Sequence, residues 1–249
     1  MKNKEKEKSS KPMQYYMYGK HTVIAALNNP NRNVKHVYSL KKQSEEIKKL
    51  YPHIDVRITT EELITKKIGH NQPHQGIIAL VNSIFEKDIK KLNFNETQDR
   101  IVILDQLSDP QNIGAIIRSA SAFGITKLIL PNDNTPDENA SIAKAASGCL
   151  ELMQIAKVTN IKSAIDALKK MGFWIAGLDV NTKKTVSEIQ NIDKLAIIIG
   201  SEGKGIRRLT AQSCDFLVKI PISKDVESLN ASNAASIIFY LSQNNLATL

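Results

Sequence analysis

The stretch IVILDQLSDPQNIGAIIRSASAFGITKLIL, residues 101–130, decides the fold. It opens on an apolar run, IVIL at 101–104, that stops at Asp105, the pattern of a short strand buried on both faces. Asp109 followed by Pro110 is a helix start, a cap and then a first-turn proline, and Gly124 supplies the stop. Between them Ile113, Ile116, Ile117 and Ala120 share one helical face. LIL at 128–130 is the next strand. Strand, helix and strand in quick succession are the unit of a parallel sheet covered by helices.

The alternation continues to the end of the chain, with strands expected at FWIAGL (173–178), LAIIIG (195–200) and FLVKI (216–220). Residues 101–249 therefore read as one α/β unit. Upstream, GKHTVIAALNN (19–29), SEEIKKL (44–50) and EELITKKIG (61–69) have helical spacing, while VKHVYSL (34–40), DVRITT (55–60) and IIALV (77–81) read as strands. That is a smaller α/β module over residues 15–84. Residues 85–100, FEKDIKKLNFNETQDR, lose apolar periodicity and are expected to be a polar linker. Residues 1–14 are charged and nearly without apolar content, which predicts a disordered basic arm. Trp174 falls in a strand pattern, so core packing is its expected role.

A chain of 249 residues with 42% hydrophobic content is not a disordered polymer. No run approaches the roughly 18 apolar residues of a membrane span, and the start MKNKEKEKSSKP has no apolar core of a secretory signal, so a soluble, cytoplasmic protein is expected. Against 25 Asp+Glu stand 34 Lys+Arg, a net charge of +9. The first 12 residues contribute five Lys and two Glu, which leaves most of the excess on the folded body and makes a polyanionic partner plausible. Cys149 and Cys214 are too few for a disulfide framework and lack metal-type spacing, so both read as buried thiols. His70 and His74 are separated by Pro73, which denies them a shared helix face, and no metal site is expected.

Ligands of open parallel sheets bind at the carboxyl ends of the strands. Three segments sit there. In the first, Asn112 falls in the first helical turn beside the strand end, and at about 100° per residue Arg118 points away from the buried stripe, toward a cleft or toward solvent. The second, IIIGSEGKGIRRL at 197–209, places Gly200, Gly203 and Gly205 after a buried strand, for close approach to a ligand or for a tight turn. It is not a phosphate-binding P-loop, because Ile206 and Arg207 stand where Lys and Ser/Thr are required, and no GxGxxG follows the strand at 101–105. Arg207 and Arg208 face phosphates or water. In the third, IPISKDVESLNASNAASIIFYL at 220–241, Ser228 or Asn230 can cap the last helix, and Ala231, Ala234, Ala235 and Ile238 form a small-residue face.

Asn112 with Arg118, GSEGKG at 200–205, and IPI at 220–222 with SLN at 228–230 resemble, in that order and spacing, the three motifs of the SpoU (TrmH/RlmB) branch of the SPOUT RNA methyltransferases. YGKHTVIAAL at 18–27 and HQGI at 74–77 are similar to the substrate-binding domain of its RlmB-type rRNA enzymes, so the resemblance spans residues 18–245. Ser201, Lys204 and the continuation Ala231-Ser232-Asn233 are small departures that bear on RNA contacts.

The resemblance implies a SPOUT domain with a C-terminal trefoil knot, behind a small N-terminal α/β substrate-binding domain. The general avoidance of knots would instead lead to an ordinary doubly wound sheet. It implies S-adenosylmethionine-dependent methylation of a ribose 2′-hydroxyl, of a guanosine in large-subunit (23S-type) rRNA, by a homodimer. A tRNA ribose methyltransferase and a non-catalytic RNA-binding or ribosome-assembly protein are the alternatives. Gly200, Ile220 and Leu229, with Gly203 and Gly205, are the implied cofactor positions. Arg118 is the implied group nearest the reaction; Asn112 orients Arg118 or the ribose, Glu202 holds a donor, and Ser228 with Asn230 positions the RNA. The small-residue face of the last helix is expected in the dimer interface, with burial against the chain's own sheet as the competing reading.

Overall fold

Alternation of apolar and polar residues pairs the front of the chain into a four-stranded sheet of order β1-β4-β2-β3. Its elements are β1 (Gln14–Tyr18), α1 (Lys20–Asn28), β2 (Val34–Ser39), α2 (Lys41–Leu50), β3 (Val56–Ile58), α3 (Glu61–Ile68) and β4 (Ile77–Asn82). The structure, a computed structural model, describes residues 12–243. Most of the arm expected over residues 1–14 lies outside them. Gln14 begins β1, a strand the sequence pattern does not announce, because QYYMY is set in place by antiparallel pairing with β4 rather than by a regular alternation of its own. The strand expected over 55–60 shortens to β3 because Thr60 caps α3, its side chain accepting from the Leu63 amide at 3.4 Å.

The second sheet holds six parallel strands in the order β10-β8-β9-β5-β6-β7. It is built from β5 (Asp99–Asp105), α4 (Pro110–Ala122), β6 (Lys127–Pro131), α5 (Ala140–Ala145), β7 (Gln154–Val158), α6 (Ile161–Lys170), β8 (Trp174–Leu178), β9 (Lys194–Gly200), α7 (Arg208–Gln212), β10 (Phe216–Val218) and α8 (Ala231–Leu241). Successive strand residues face opposite layers. Val102, Leu104, Ile197 and Ile199 pack under α4 and α8, while Ile101, Ile103, Ala196 and Ile198 pack under α6. Asp109 accepts from the Gln111 amide at 3.0 Å and Pro110 follows, the start read from the sequence. Among the described residues no helix is long and apolar enough to cross a membrane.

Two expectations need correction. Trp174 is 52% exposed, because the first residue of β8 protrudes past the layer that covers the strand; its ring rests on Phe216, centroids 5.5 Å apart. Residues 85–100 are no free polar tether: Glu86 pairs beside β7, Ile89 and Leu92 are buried in the second core, and Phe94 stacks edge-on against Phe173. These apolar residues are too widely spaced to register as a period.

The two sheets are also locked together by charge. Arg32 of the front unit is buried with Glu138 and Glu151 of the rear unit, donating from Nη1 to Glu138 and from Nη2 to Glu151 Oε1 at 2.6 Å. One cation faces two carboxylates, so neutral donors complete the balance. Tyr15 and Ser83 hydroxyls donate to Glu138 at 2.7 Å, as does the Ile84 amide, and Asn29 donates to Glu151 at 2.7 Å. Burial and Glu138 push the Tyr15 phenol well above its ordinary range, which keeps it a donor. Breaking one member of a buried ion network leaves an uncompensated charge. Arg32→Met is therefore expected to destabilise the protein by about 3–5 kcal/mol in urea unfolding; an unchanged midpoint would mean that the network contributes nothing to docking.

Candidate active site

Strands β8, β9 and β10 run parallel, so their carboxyl ends open on one side of the sheet and leave a cavity of about 300 Å³ there. Leu178, Ile199, Ile220 and Leu229 supply its apolar walls, and Asp179, Glu202 and Glu227 its acidic rim. All five positions read as cofactor contacts, Gly200, Gly203, Gly205, Ile220 and Leu229, line it. Ile220 lies past the end of β10, which stops at Val218 rather than at 220.

The glycine loop serves both readings left open by the sequence. Ser201 and Gly205 exchange backbone hydrogen bonds at 2.9 and 3.1 Å, closing a tight turn, with Gly203 and Gly205 at φ of 76° and 65°. At Gly200 the reason for glycine is different from ligand access alone. A Cβ there overlaps the backbone of Gly205 and Ile206, because the chain passes back across the end of β9 with no room for a side chain. Arg207 is held within the chain: its amide and Nε donate to Asp105 at 3.0 and 2.7 Å, and Asp105 is fully buried at the end of β5. Sequence reasoning did not single out Asp105, although a carboxylate ending an apolar strand is a readable signal. Nearby, Cys214 is half-buried and free, its thiol pushed up to about 12 by burial.

Asn112, Glu202 and Asn230 come together although they lie on three separate segments, and Glu202 joins the cluster to the cavity it lines. Asn230 is the cap of α8: its Oδ1 accepts from the Ser232 and Asn233 amides at 2.9 and 3.3 Å. That settles the amide's orientation and aims Nδ2 outward. Nδ2 donates to Asn112 Oδ1 at 3.0 Å and to Glu202 Oε1, which also accepts from Asn112 Nδ2 at 3.0 Å. Capping and site building are thus one arrangement. Ser228 lines the cavity and is exposed.

Arg118 stands apart. It is exposed on α4, does not line the cavity, and Asn112 engages Glu202 and Asn230 rather than Arg118. The small-residue face of α8 is consumed within the chain: Ala231, Ala235 and Ile238 are buried in the core, and Ala234 lines the cavity. The competing reading of that face is the correct one, because α8 must lie close to α4 and β9 to close the cavity. Among the described residues no group of three His, Cys, Asp or Glu is placed to hold a metal ion.

Residues 99–240 match the SpoU rRNA methylase family, and residues 16–86 match the RNA 2′-O ribose methyltransferase substrate-binding domain. The chain belongs to the SpoU rRNA methylase family. A protein of Staphylococcus aureus (strain MSSA476) assigned to the TrmH family of tRNA/rRNA methyltransferases is 36% identical over 231 residues, 89% of this chain and 92% of that protein. The 23S rRNA (guanosine-2′-O-)-methyltransferase RlmB of Coxiella burnetii (strain RSA 493 / Nine Mile phase I) is 35% identical over 232 residues, 90% of this chain and 93% of that one. Among solved structures, the SpoU methyltransferase AviRb from Streptomyces viridochromogenes in complex with AdoMet superposes with a TM-score of 0.82 at 20% identity, covering 92% of this chain and 89% of AviRb. The AdoMet-bound rRNA methyltransferase from Sinorhizobium meliloti gives 0.81 at 22% identity, covering 94% and 88%.

This SpoU family member is an S-adenosylmethionine-dependent RNA methyltransferase, and its rear unit has the α/β SPOUT fold of those enzymes. The cavity suits the cofactor: apolar walls for a purine, a glycine-rich loop for close backbone approach, and carboxylates for a sulfonium cation. Because a Cβ at position 200 strikes backbone, Gly200→Ala is expected to lower stability by roughly 1–3 kcal/mol and to abolish cofactor binding together. Unfolding and calorimetry check this; a stable variant with normal affinity would mean that the crossing at Gly200 is looser than described.

Proposed function

We propose that the protein methylates the ribose 2′-hydroxyl of a guanosine in large-subunit rRNA, in the cytoplasm and as a homodimer, with residues 15–84 presenting the RNA and residues 101–249 transferring the methyl group. The observation that carries this reading is the Asn112–Glu202–Asn230 cluster, built from the three motifs together and joined to the cavity by Glu202. The match of residues 16–86 to a substrate-binding domain and the likeness to an RlmB along 90% of the chain support rRNA as the substrate. A tRNA ribose is the second reading, favoured by the tRNA/rRNA designation of the Staphylococcus aureus relative.

Bound in the cavity against Gly200, Ile220 and Leu229, S-adenosylmethionine supplies an electrophilic methyl group. The protein's part is to hold the ribose hydroxyl in line and to stabilise the charge that develops on its oxygen. Arg118 carries the charge this requires. A guanidinium keeps its proton at neutral pH, so it stabilises an alkoxide while water or a phosphate takes the proton. Ser228 and the Asn112–Glu202–Asn230 cluster set the position of the RNA backbone.

Within one chain Arg118 lies six residues beyond Asn112, about 9 Å along α4. A second copy brings an Arg118 to the cavity, which explains why this site is incomplete in a single chain. Exposed Ile237 and Tyr240 on the outer side of the adjoining helix α8 give such a partner an apolar surface.

Arg118→Ala is expected to bind S-adenosylmethionine normally and to turn over at least about a hundredfold slower, the loss of one preorganised oxyanion donor. Substantial activity in Arg118→Lys with a lysine-like pH profile would instead make this position a proton acceptor. Mixing Arg118→Ala with Glu202→Ala protein discriminates the assembly. If Arg118 serves the partner's cavity, heterodimers hold one intact site, and the mixture recovers up to about a quarter of wild-type activity; no recovery would place Arg118 on its own chain's cavity. Mapping ribose methylation across rRNA and tRNA in cells with and without the gene identifies the substrate. A missing mark in tRNA alone would replace the rRNA reading.

A further inference from the structure

The front sheet is covered completely on one face only. Met17, Val37, Ala79 and Val81 face the main core. On the opposite face Tyr16 of β1 and His36 of β2 flank Leu80 of β4 in register, and Arg57 of β3 stands opposite Tyr38, two residues along β2 from His36. Helix α3 covers the end of this face where Tyr18, Ile64 and Ile78 are buried. Tyr16, His36 and Tyr38 beside it are only half-buried.

These rings form a continuous surface that carries positive charge. Tyr16 and Tyr38 have centroids 6.4 Å apart, and His36 meets Tyr38 edge-on at 4.9 Å. Lys67, from the last turn of α3, places its ammonium 4.5 Å from the Tyr38 ring and 5.1 Å from the Tyr16 ring. The Arg57 guanidinium lies 5.7 Å from the Tyr38 centroid. Both cations are exposed. Arg57 also pairs with exposed Asp55 at 2.7 Å, a weak contact in water. The Lys67 ammonium donates to the Tyr16 hydroxyl at 3.2 Å rather than to a carboxylate. Burial, helped by Arg57 and Lys67, lowers the His36 pKa, which favours the uncharged ring.

Packing under α3 accounts for one edge of Tyr16 and Tyr38. It does not account for three rings beside two exposed cations. Aromatic faces take unstacked bases of any sequence, and neighbouring cations take the phosphates between them; sheet faces of this composition suit single-stranded RNA.

We propose that Tyr16, His36, Tyr38, Arg57 and Lys67 form a stacking platform for an unpaired segment of the RNA substrate. The proposal deepens the reading of residues 15–84 as the part that presents RNA, and rests on it. A base stacks on Tyr38 or Tyr16, and Lys67 exchanges its ring contact for a phosphate. Since the Arg32 network holds the two units in one geometry, a nucleotide seated here lies at a set distance from the methyl-transfer cavity.

The test uses the full chain with a short fluorescent oligouridylate carrying one 4-thiouridine, and a duplex RNA of the same length. The wild type is expected to prefer the single strand and to crosslink through β1 or β2. Tyr38→Leu, which keeps apolar bulk under α3, is expected to weaken single-strand binding by about tenfold or more. Arg57→Gln and Lys67→Gln, both at exposed positions, are expected to weaken it and to flatten its salt dependence. S-adenosylmethionine affinity stays unchanged in all three, and an unchanged urea-unfolding midpoint verifies that the front unit stays folded. Equal binding of strand and duplex, no binding of the strand, a crosslink elsewhere, or a Tyr38→Leu protein that binds like the wild type each overturns the platform; the last, with Lys67→Gln weakened, would show a phosphate-only surface. Absence of methyl transfer to rRNA by a wild type that still binds the strand at this face would strike the substrate reading and leave the platform standing.

Discussion

At the end of β9 two backbone segments pass so closely that only a glycine, Gly200, fits between them. The return of the chain at Gly205 and Ile206 closes the turn from Ser201, sets Arg207 against buried Asp105, and leaves Glu202 projecting toward α4 and α8. The cavity is the space left on the far side of that crossing. Its walls come from strand ends, and Asp179, Glu202 and Glu227 stand at its rim beside the glycine-rich loop. The SPOUT fold thereby leaves a cavity beside a point where the chain tolerates no added side chain.

A second economy lies in Asn230. One amide satisfies the free N–H groups of α8 with its oxygen and holds Glu202 and Asn112 with its nitrogen. A helix cap is rigid because its partner is backbone. The cluster inherits that rigidity, and a carboxylate with one oxygen held by its neighbours keeps the other available.

The front unit is held by a costlier device. Burying Arg32 with Glu138 and Glu151 removes three charges from water, and hydrophobic replacements of such networks are often as stable. What the ions add is direction: an apolar contact permits sliding, while a guanidinium forked between two carboxylates, with Tyr15, Ser83 and Asn29 donating around it, permits one orientation. A flexible tether would raise only the local concentration of bound RNA. A docked unit also keeps one orientation to the rear sheet.

Much of this was legible in the chain. The strands at 101–105 and 195–200, the Asp109-Pro110 helix start and the glycine loop follow from periodicity, caps and backbone freedom, which act over a few residues. The motif residues Asn112, Glu202 and Asn230 were legible by resemblance. Local rules could not show that Trp174 stays half exposed, that QYYMY is a strand, or that Ile89 and Leu92 are buried, since each depends on what covers it. Nor could they show Arg207 paired with Asp105, or Asn230 in contact with Asn112 across 118 positions of chain. The sequence by itself determined most of the elements and the fold class. The tertiary structure alone decided which motif residues meet, which apolar faces are consumed within the chain, and that Arg118 stands off the cavity, because contact between distant segments is settled by packing rather than by local propensity.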